Sequence, residues 1–199
     1  MNACRHLREA TRDLHQRVEQ TTASHLLFSA ELNLDTYAQV LARFFAAVEP
    51  LERGLQGHTV CREVGSQPRS HDLRHDLYAL GWSEPQIAEI PRMEIMPHLP
   101  SPGMALGVVY VLQGSRSWAP YIRRRVEQTV GRGHFAEGGL CFFGEPDPLH
   151  VAQRWEGFCA RLNNWFELHS AAEVVEATQG ALQAFAAFEG ALAMQRKAA

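Results

Sequence analysis

Several signatures of common enzyme classes are missing from these 199 residues. There is no phosphate-cradling glycine loop, no dinucleotide fingerprint, no Gly-x-Ser-x-Gly elbow and no His-Glu-x-x-His pair, which sets aside the chemistry those motifs carry. No run approaches the roughly 18 apolar residues of a membrane-spanning helix, so no membrane partner is expected. Cys4, Cys61, Cys141 and Cys159 form no Cys-x-x-Cys pair, and Met1–His6 holds no apolar signal core. The simplest expectation is reduced thiols in a cytoplasmic protein. A strong charge excess is also missing. The net charge of −3 leaves no footprint for a nucleic-acid partner, and Arg123-Arg124-Arg125 reads as a solvated helix face. No internal repeat or interdomain linker interrupts the chain, so one domain over 1–199 is expected.

What the chain does contain is helical period. A hydrophobic fraction of 46% and a charged fraction of 21% are globular values. Thr21-Thr22-Ala23-Ser24 reads as a loop or short break. Apolar residues then recur at helical spacing from Tyr37 to Leu55, with Asn33 or Asp35 available as a cap. Gly65–Ser70 is a polar loop. A short helix through Leu73, Leu77 and Leu80 can close at Gly81, and Ser83-Glu84-Pro85 opens another. Four prolines make Pro91–Gly103 a connection. His71 and His75 stand four apart and are candidate metal ligands, but spacing places no third ligand with them. Two long helices finish the chain, through Val151–Phe166 and Val174–Leu192, with aromatics read as core. The tail 195–199 is expected to fray.

Two stretches suggest chemistry. In Leu7–Glu19, Leu7, Thr11, Leu14 and Val18 share one face of a single helix. Arg8, Arg12, His15 and Glu19 share a second. Glu19 is one turn beyond His15, close enough to hold its ring. Arg8 and Arg12 lie one and two turns back, where they could meet an anion. The other stretch, Met104–Leu112, is apolar almost all round. Its β-branched residues would also suit a strand, but no alternating partner strand exists, so a helix buried on every face is expected. Gly107 and Gly114 interrupt its side-chain cover. Each costs about 1 kcal/mol against alanine, which close approach by another backbone or by a ligand would offset. Pro120 should bend or end this helix, with Tyr121–Val130 continuing after the kink. Gly131–Pro148 is a loop.

The first stretch resembles the proximal helix of heme oxygenases, Leu-x-x-Ala-Thr-x-x-x-His-x-x-x-Glu, through Leu7, Ala10, Thr11, His15 and Glu19. Residues Gly107–Ser115 resemble the distal-helix motif of the bacterial branch found beside bacteriophytochromes, as do Phe142-Phe143-Gly144 and Arg154-Trp155-Glu156-Gly157-Phe158. The resemblance implies an all-α bundle holding heme b between a proximal and a kinked distal helix. It implies His15 as iron ligand, Glu19 behind it, and Arg8 and Arg12 toward the propionates. Tyr110, Gly114, Ser115 and Trp118 would line the heme, with Gly114 and Ser115 beside the catalytic iron. Heme would be both cofactor and substrate. With O2 and electrons from a reductase or ferredoxin, it would be opened to biliverdin, carbon monoxide and ferrous iron, and the biliverdin would suit a bacteriophytochrome partner.

The sequence departs from that pattern after Gly114. Trp118 stands where the family has a glycine that lets the helix lie against the porphyrin, and Gln113 replaces the usual Glu. An indole there would need rotation or helix displacement, which Pro120 could provide. The alternative expectation is therefore an altered relative that binds or carries heme, or has lost it. A related helical fold using a di-iron centre would need Glu and His ligands on facing helices, and the spacings here do not assemble them.

Overall fold

A computed structural model describes residues 2–93, 99–135 and 138–194. The expected fraying of 195–199 and part of the proline-rich connection, 94–98, lie outside those residues. Among the described residues there is no strand, and no helix is long and apolar enough to cross a membrane.

In order, the helices are α1 (Ala3–Ala10), α2 (Arg12–Glu19), α3 (Thr22–Phe28), α4 (Leu34–Gly54), α5 (Val60–Glu63), α6 (Ser70–Ala79), α7 (Glu84–Ala88), α8 (Pro102–Gly114), α9 (Ala119–Val126), α10 (Pro148–Glu167) and α11 (Ala171–Ala193). Several boundaries follow from local chemistry. Asn33 caps α4 by accepting from Thr36 N at 2.9 Å, and Thr36 Oγ1 reaches back to Asn33 N. Gly81 takes the left-handed conformation after α6, with φ +86°. Ser83 caps α7 with Gln86 as its reciprocal partner.

The core is centred on α8 and α11. Ala105, Leu106, Val108 and Val109 have no exposed surface, so the helix is buried on every face, as its composition requires. The two backbones touch. A Cβ on Gly107 would overlap the Ala177 carbonyl and stand 2.7 Å from Ala181 N, and one on Gly180 would stand 2.9 Å from the Met104 carbonyl carbon. Only glycine fits at either place. Glu173 of α11 accepts the Gly103 N–H at 2.7 Å, satisfying a free donor at the start of α8 where the helix dipole favours an anion.

Four expectations are corrected. The Leu7–Glu19 stretch is two helices that bend at Thr11 (φ −103°, ψ 5°), although the hydrogen-bond ladder runs on through Thr11 N to Leu7 O and His15 N to Thr11 O. Thr21-Thr22-Ala23-Ser24 starts α3, with Thr21 as its cap. The break after Gly114 comes before Pro120. Ser115–Trp118 tighten into a 3-10 turn, and Pro120 sits in the first turn of α9, where a missing N–H costs nothing. Cys4 and Cys159 are not reduced thiols but a disulfide, with Cα atoms 5.8 Å apart. It joins α1 to α10, and Cys4 N also donates to Asn163 Oδ1 at 3.1 Å. The two cysteines are 155 residues apart in sequence, a separation that says nothing about which helices meet.

Candidate functional site

A cleft of about 1170 Å³ opens beside α1 and α2. That is slightly above the roughly 300–1,000 Å³ of most small-molecule sites and suits a large ligand. The bend at Thr11 shapes it. Leu7 and Thr11 are buried and anchor α1, and Thr11 Oγ1 donates to Leu7 O at 2.7 Å. α2 buries none of its residues and projects along the opening. Leu14 and Val18 pack it on the core, Arg17 pairs with Glu189 of α11 at 2.9 Å, and the His15 ring meets Phe185 edge-on with centroids 5.5 Å apart.

His15 Nδ1 is 3.7 Å from Glu19 Oε1, an ion-pair distance longer than a hydrogen bond, and Nε2 has no hydrogen-bond partner among the described residues. Arg5, Arg8 and Arg12 also line the cleft. Arg5 is engaged by Glu9 at 3.0 Å, and its guanidinium holds that carboxyl below its usual value. Neither Arg8 nor Arg12 makes an ion pair or a side-chain hydrogen bond among the described residues, so both remain available to an anion in the cleft.

The end of α8 contributes Tyr110, Val111 and Gly114. Tyr110 packs its ring against Trp155 at 5.5 Å, and burial raises its phenol pKa. A Cβ on Gly114 would meet nothing within 4 Å except the Trp155 indole at 3.7 Å. Unlike Gly107, it faces open space. Ser115 lines the cleft, but its hydroxyl proton is committed to Leu112 O at 2.9 Å. Trp118 stands at the rim, 47% exposed, with its ring 5.8 Å from that of Tyr121. Ser115–Trp118 form a 3-10 turn, and Trp118 lines the same cleft as Gly114. Gln113 turns out of the cleft to Ser66, at 3.2 Å.

The cleft thus brings together every site residue expected from sequence: Arg8, Arg12, His15, Glu19, Tyr110, Gly114, Ser115 and Trp118. Other arginines are committed elsewhere: Arg123 to Glu127, Arg161 to Val64 O and Arg154 toward Glu145. Arg116 is half-buried outside the cleft, and burial lowers its pKa to about 10. Sequence reasoning missed His25 on α3, Phe44 on α4, and Phe185 and Phe188 on α11. The α11 phenylalanines were read as core. They are buried and form a cleft wall as well.

A family model described as heme oxygenase matches residues 1–193. The chain belongs to the heme oxygenase family. Solved structures agree in fold. Heme oxygenase from Leptospira interrogans superposes with a TM-score of 0.72 at 19% identity, covering 97% of this chain and 99% of that one. Heme oxygenase from Neisseria meningitidis, solved with NO and CO bound, gives 0.67 at 19% identity, covering 96% and 90%. Heme oxygenase-1 from the cyanobacterium Synechocystis sp. PCC6803, in complex with heme, gives 0.68 at 14% identity, covering 96% and 91%. No curated protein matches in sequence. For this family member, a heme-sized apolar opening with one free imidazole nitrogen and two uncommitted guanidiniums is the arrangement to be explained.

Proposed function

We propose that this chain, acting as one domain over 1–199, binds heme b in the cleft and opens it to biliverdin, carbon monoxide and ferrous iron, using O2 and electrons from an external reductase or ferredoxin. The carrying observation is the His15 imidazole, with Glu19 beside Nδ1 and Nε2 unpartnered, in the same cleft as Arg8 and Arg12. A macrocycle with a nitrogen-ligated metal and two carboxylates fits that donor set.

In this reading His15 holds the iron through Nε2 as neutral imidazole, and Glu19 orients the ring and raises its basicity. Arg8 and Arg12 take the propionates through charge-assisted hydrogen bonds and so set the in-plane orientation of the ring. The open space at Gly114 admits the macrocycle against the end of α8. Phe44, Phe185 and Phe188, which line the cleft, would exclude bulk water from a bound macrocycle. Ser115, with its proton committed to the main chain, can only accept a hydrogen bond there. Bound heme supplies the iron that reduces O2 and the ring that is cleaved. The biliverdin so made is the chromophore class a bacteriophytochrome takes.

Turnover tests the reading. Hemin bound at one equivalent should show a Soret band that decays, with ascorbate or a reductase in air, into the broad red absorbance of biliverdin with release of carbon monoxide. A Soret band that persists under those conditions would leave a heme-binding protein without the activity. No Soret shift on adding hemin would remove heme from the account.

A further inference from the structure

Outside the cleft, one cluster of chemistry-bearing side chains is unexplained. Among the described residues, His75, Asp76 and Cys141 are the group whose donor atoms converge, all within 4.8 Å of one another. We propose that they form a site for one divalent cation of the zinc class. None of the three lines the cleft. His71, the other histidine of the sequence pair, pairs instead with Asp72.

The geometry suits such an ion. Cys141 Sγ and His75 Nδ1 are 3.5 Å apart. Zinc–sulfur and zinc–nitrogen bonds of about 2.3 and 2.0–2.1 Å at a tetrahedral angle give an edge of about 3.6 Å. A carboxylate oxygen of Asp76 lies within 4.8 Å of both donors. The site is also pre-organised. Asp76 is fully buried at the C-terminal half of α6. Its Oδ1 accepts from Gly139 N at 3.1 Å and Cys141 N at 2.7 Å, and its Oδ2 from Phe142 N at 2.8 Å. Those bonds fasten the loop that carries Cys141 beside the helix that carries His75. Oδ2 takes a single hydrogen bond, so it keeps a lone pair. Gly138 (φ +133°) lies against the imidazole, where a Cβ would stand 2.7 Å from Cε1, and this limits the ring's swing.

His75 and Cys141 are exposed, which gives the ion a path in and leaves a position for water. Binding replaces the thiol proton by a metal–sulfur bond, releases that proton to solvent and changes no oxidation state. Thiolate, imidazole and carboxylate together select zinc or cobalt over magnesium or calcium. The neighbours of Cys141 connect the site to the heme cleft: Phe142 and Phe143 pack on Phe44 at 5.8 and 5.4 Å, and Phe44 lines the cleft wall.

The test is a Co2+ titration of the untagged full chain, read by thiolate-to-cobalt charge-transfer absorbance and followed by Zn2+ displacement. One equivalent should saturate the band, zinc should abolish it and magnesium should not. C141S should lose it while retaining wild-type helicity by circular dichroism. H75A should weaken binding by at least the roughly 10–100-fold that losing an outer-sphere partner costs. C61S, which removes the other free thiol, should bind as wild type. Absence of a charge-transfer band, its survival in C141S, or unchanged affinity in H75A would leave only a thiol–imidazole hydrogen bond and overturn the proposal.

Discussion

α2 and α8 both contribute to one cleft, yet they are built on opposite principles. α2 buries none of its eight residues, whereas α8 buries ten of its thirteen. α8 is positioned by contact with α11 along its length, and its polar content is little more than its backbone. α2 is held by the half-buried Leu14 and Val18, one ion pair and one ring edge, which leaves His15 and Arg12 with atoms to offer a ligand. In the proposed reading the polar groups that take the ligand lie on α1 and α2, while the buried packing lies on α8, so substitutions of the two kinds should fail in different assays.

The two glycines of α8 give the widest contrast. Gly107→Val drives side-chain atoms into the α11 backbone and should cost about 3 kcal/mol or more, at or beyond the usual range for overpacking, read as a lower urea midpoint. Gly114→Ala meets only Trp155 at ordinary contact distance. Its midpoint should hold or rise by up to about 1 kcal/mol, while hemin affinity falls as the new methyl enters the cleft. A Gly107→Val protein with a wild-type midpoint would break the comparison.

Next comes the arginine pair. Arg8→Ala and Arg12→Ala should each remove a charge-assisted bond of about 1.5–3 kcal/mol, weakening hemin binding roughly 10–100-fold by titration. Stability should stay within about 0.5 kcal/mol, since both are exposed and make no ion pair among the described residues. A smaller effect is expected of Glu19→Gln. The contact with His15 is half-exposed and, at 3.7 Å, longer than the hydrogen bond of a full outer-sphere partner, so its contribution lies in the roughly 0.2–1 kcal/mol range of exposed ion pairs, and hemin affinity should fall less than about fivefold. Smallest of all is Trp118→Gly. With the indole at the rim, turnover should remain at the wild-type rate, and a clear increase would show that it does enter the distal space.

Much of this was legible in the sequence because periodicity survives folding. The row Arg8, Arg12, His15, Glu19 needed only 100° per residue to be seen as one edge, and the bend at Thr11 left that edge intact. The caps at Asn33 and Ser83 and the stop at Gly81 are local chemistry and read directly. Pairings between distant segments were not legible. Nothing in spacing distinguishes Gly107, pressed on a backbone, from Gly114, open to a cleft. The Cys4–Cys159 disulfide depends on α1 and α10 lying side by side. Phe44, Phe185 and Phe188 serve core and cleft at once, and hydrophobicity reports only the first. The break in the distal helix falls at the Ser115–Trp118 turn, not at Pro120, where the proline made sequence reasoning look for it.

The most direct test of the division between the two helices is His15→Ala, measured for hemin spectrum and for unfolding free energy in the same preparation. The account predicts loss of the histidine-ligated heme spectrum and of turnover, with the urea midpoint of the heme-free protein nearly unchanged because His15 is half-exposed and Leu14 and Val18 still pack α2 on the core. An unchanged heme spectrum would remove His15 as the iron ligand, and a large fall in midpoint would show that the binding helix also holds the fold.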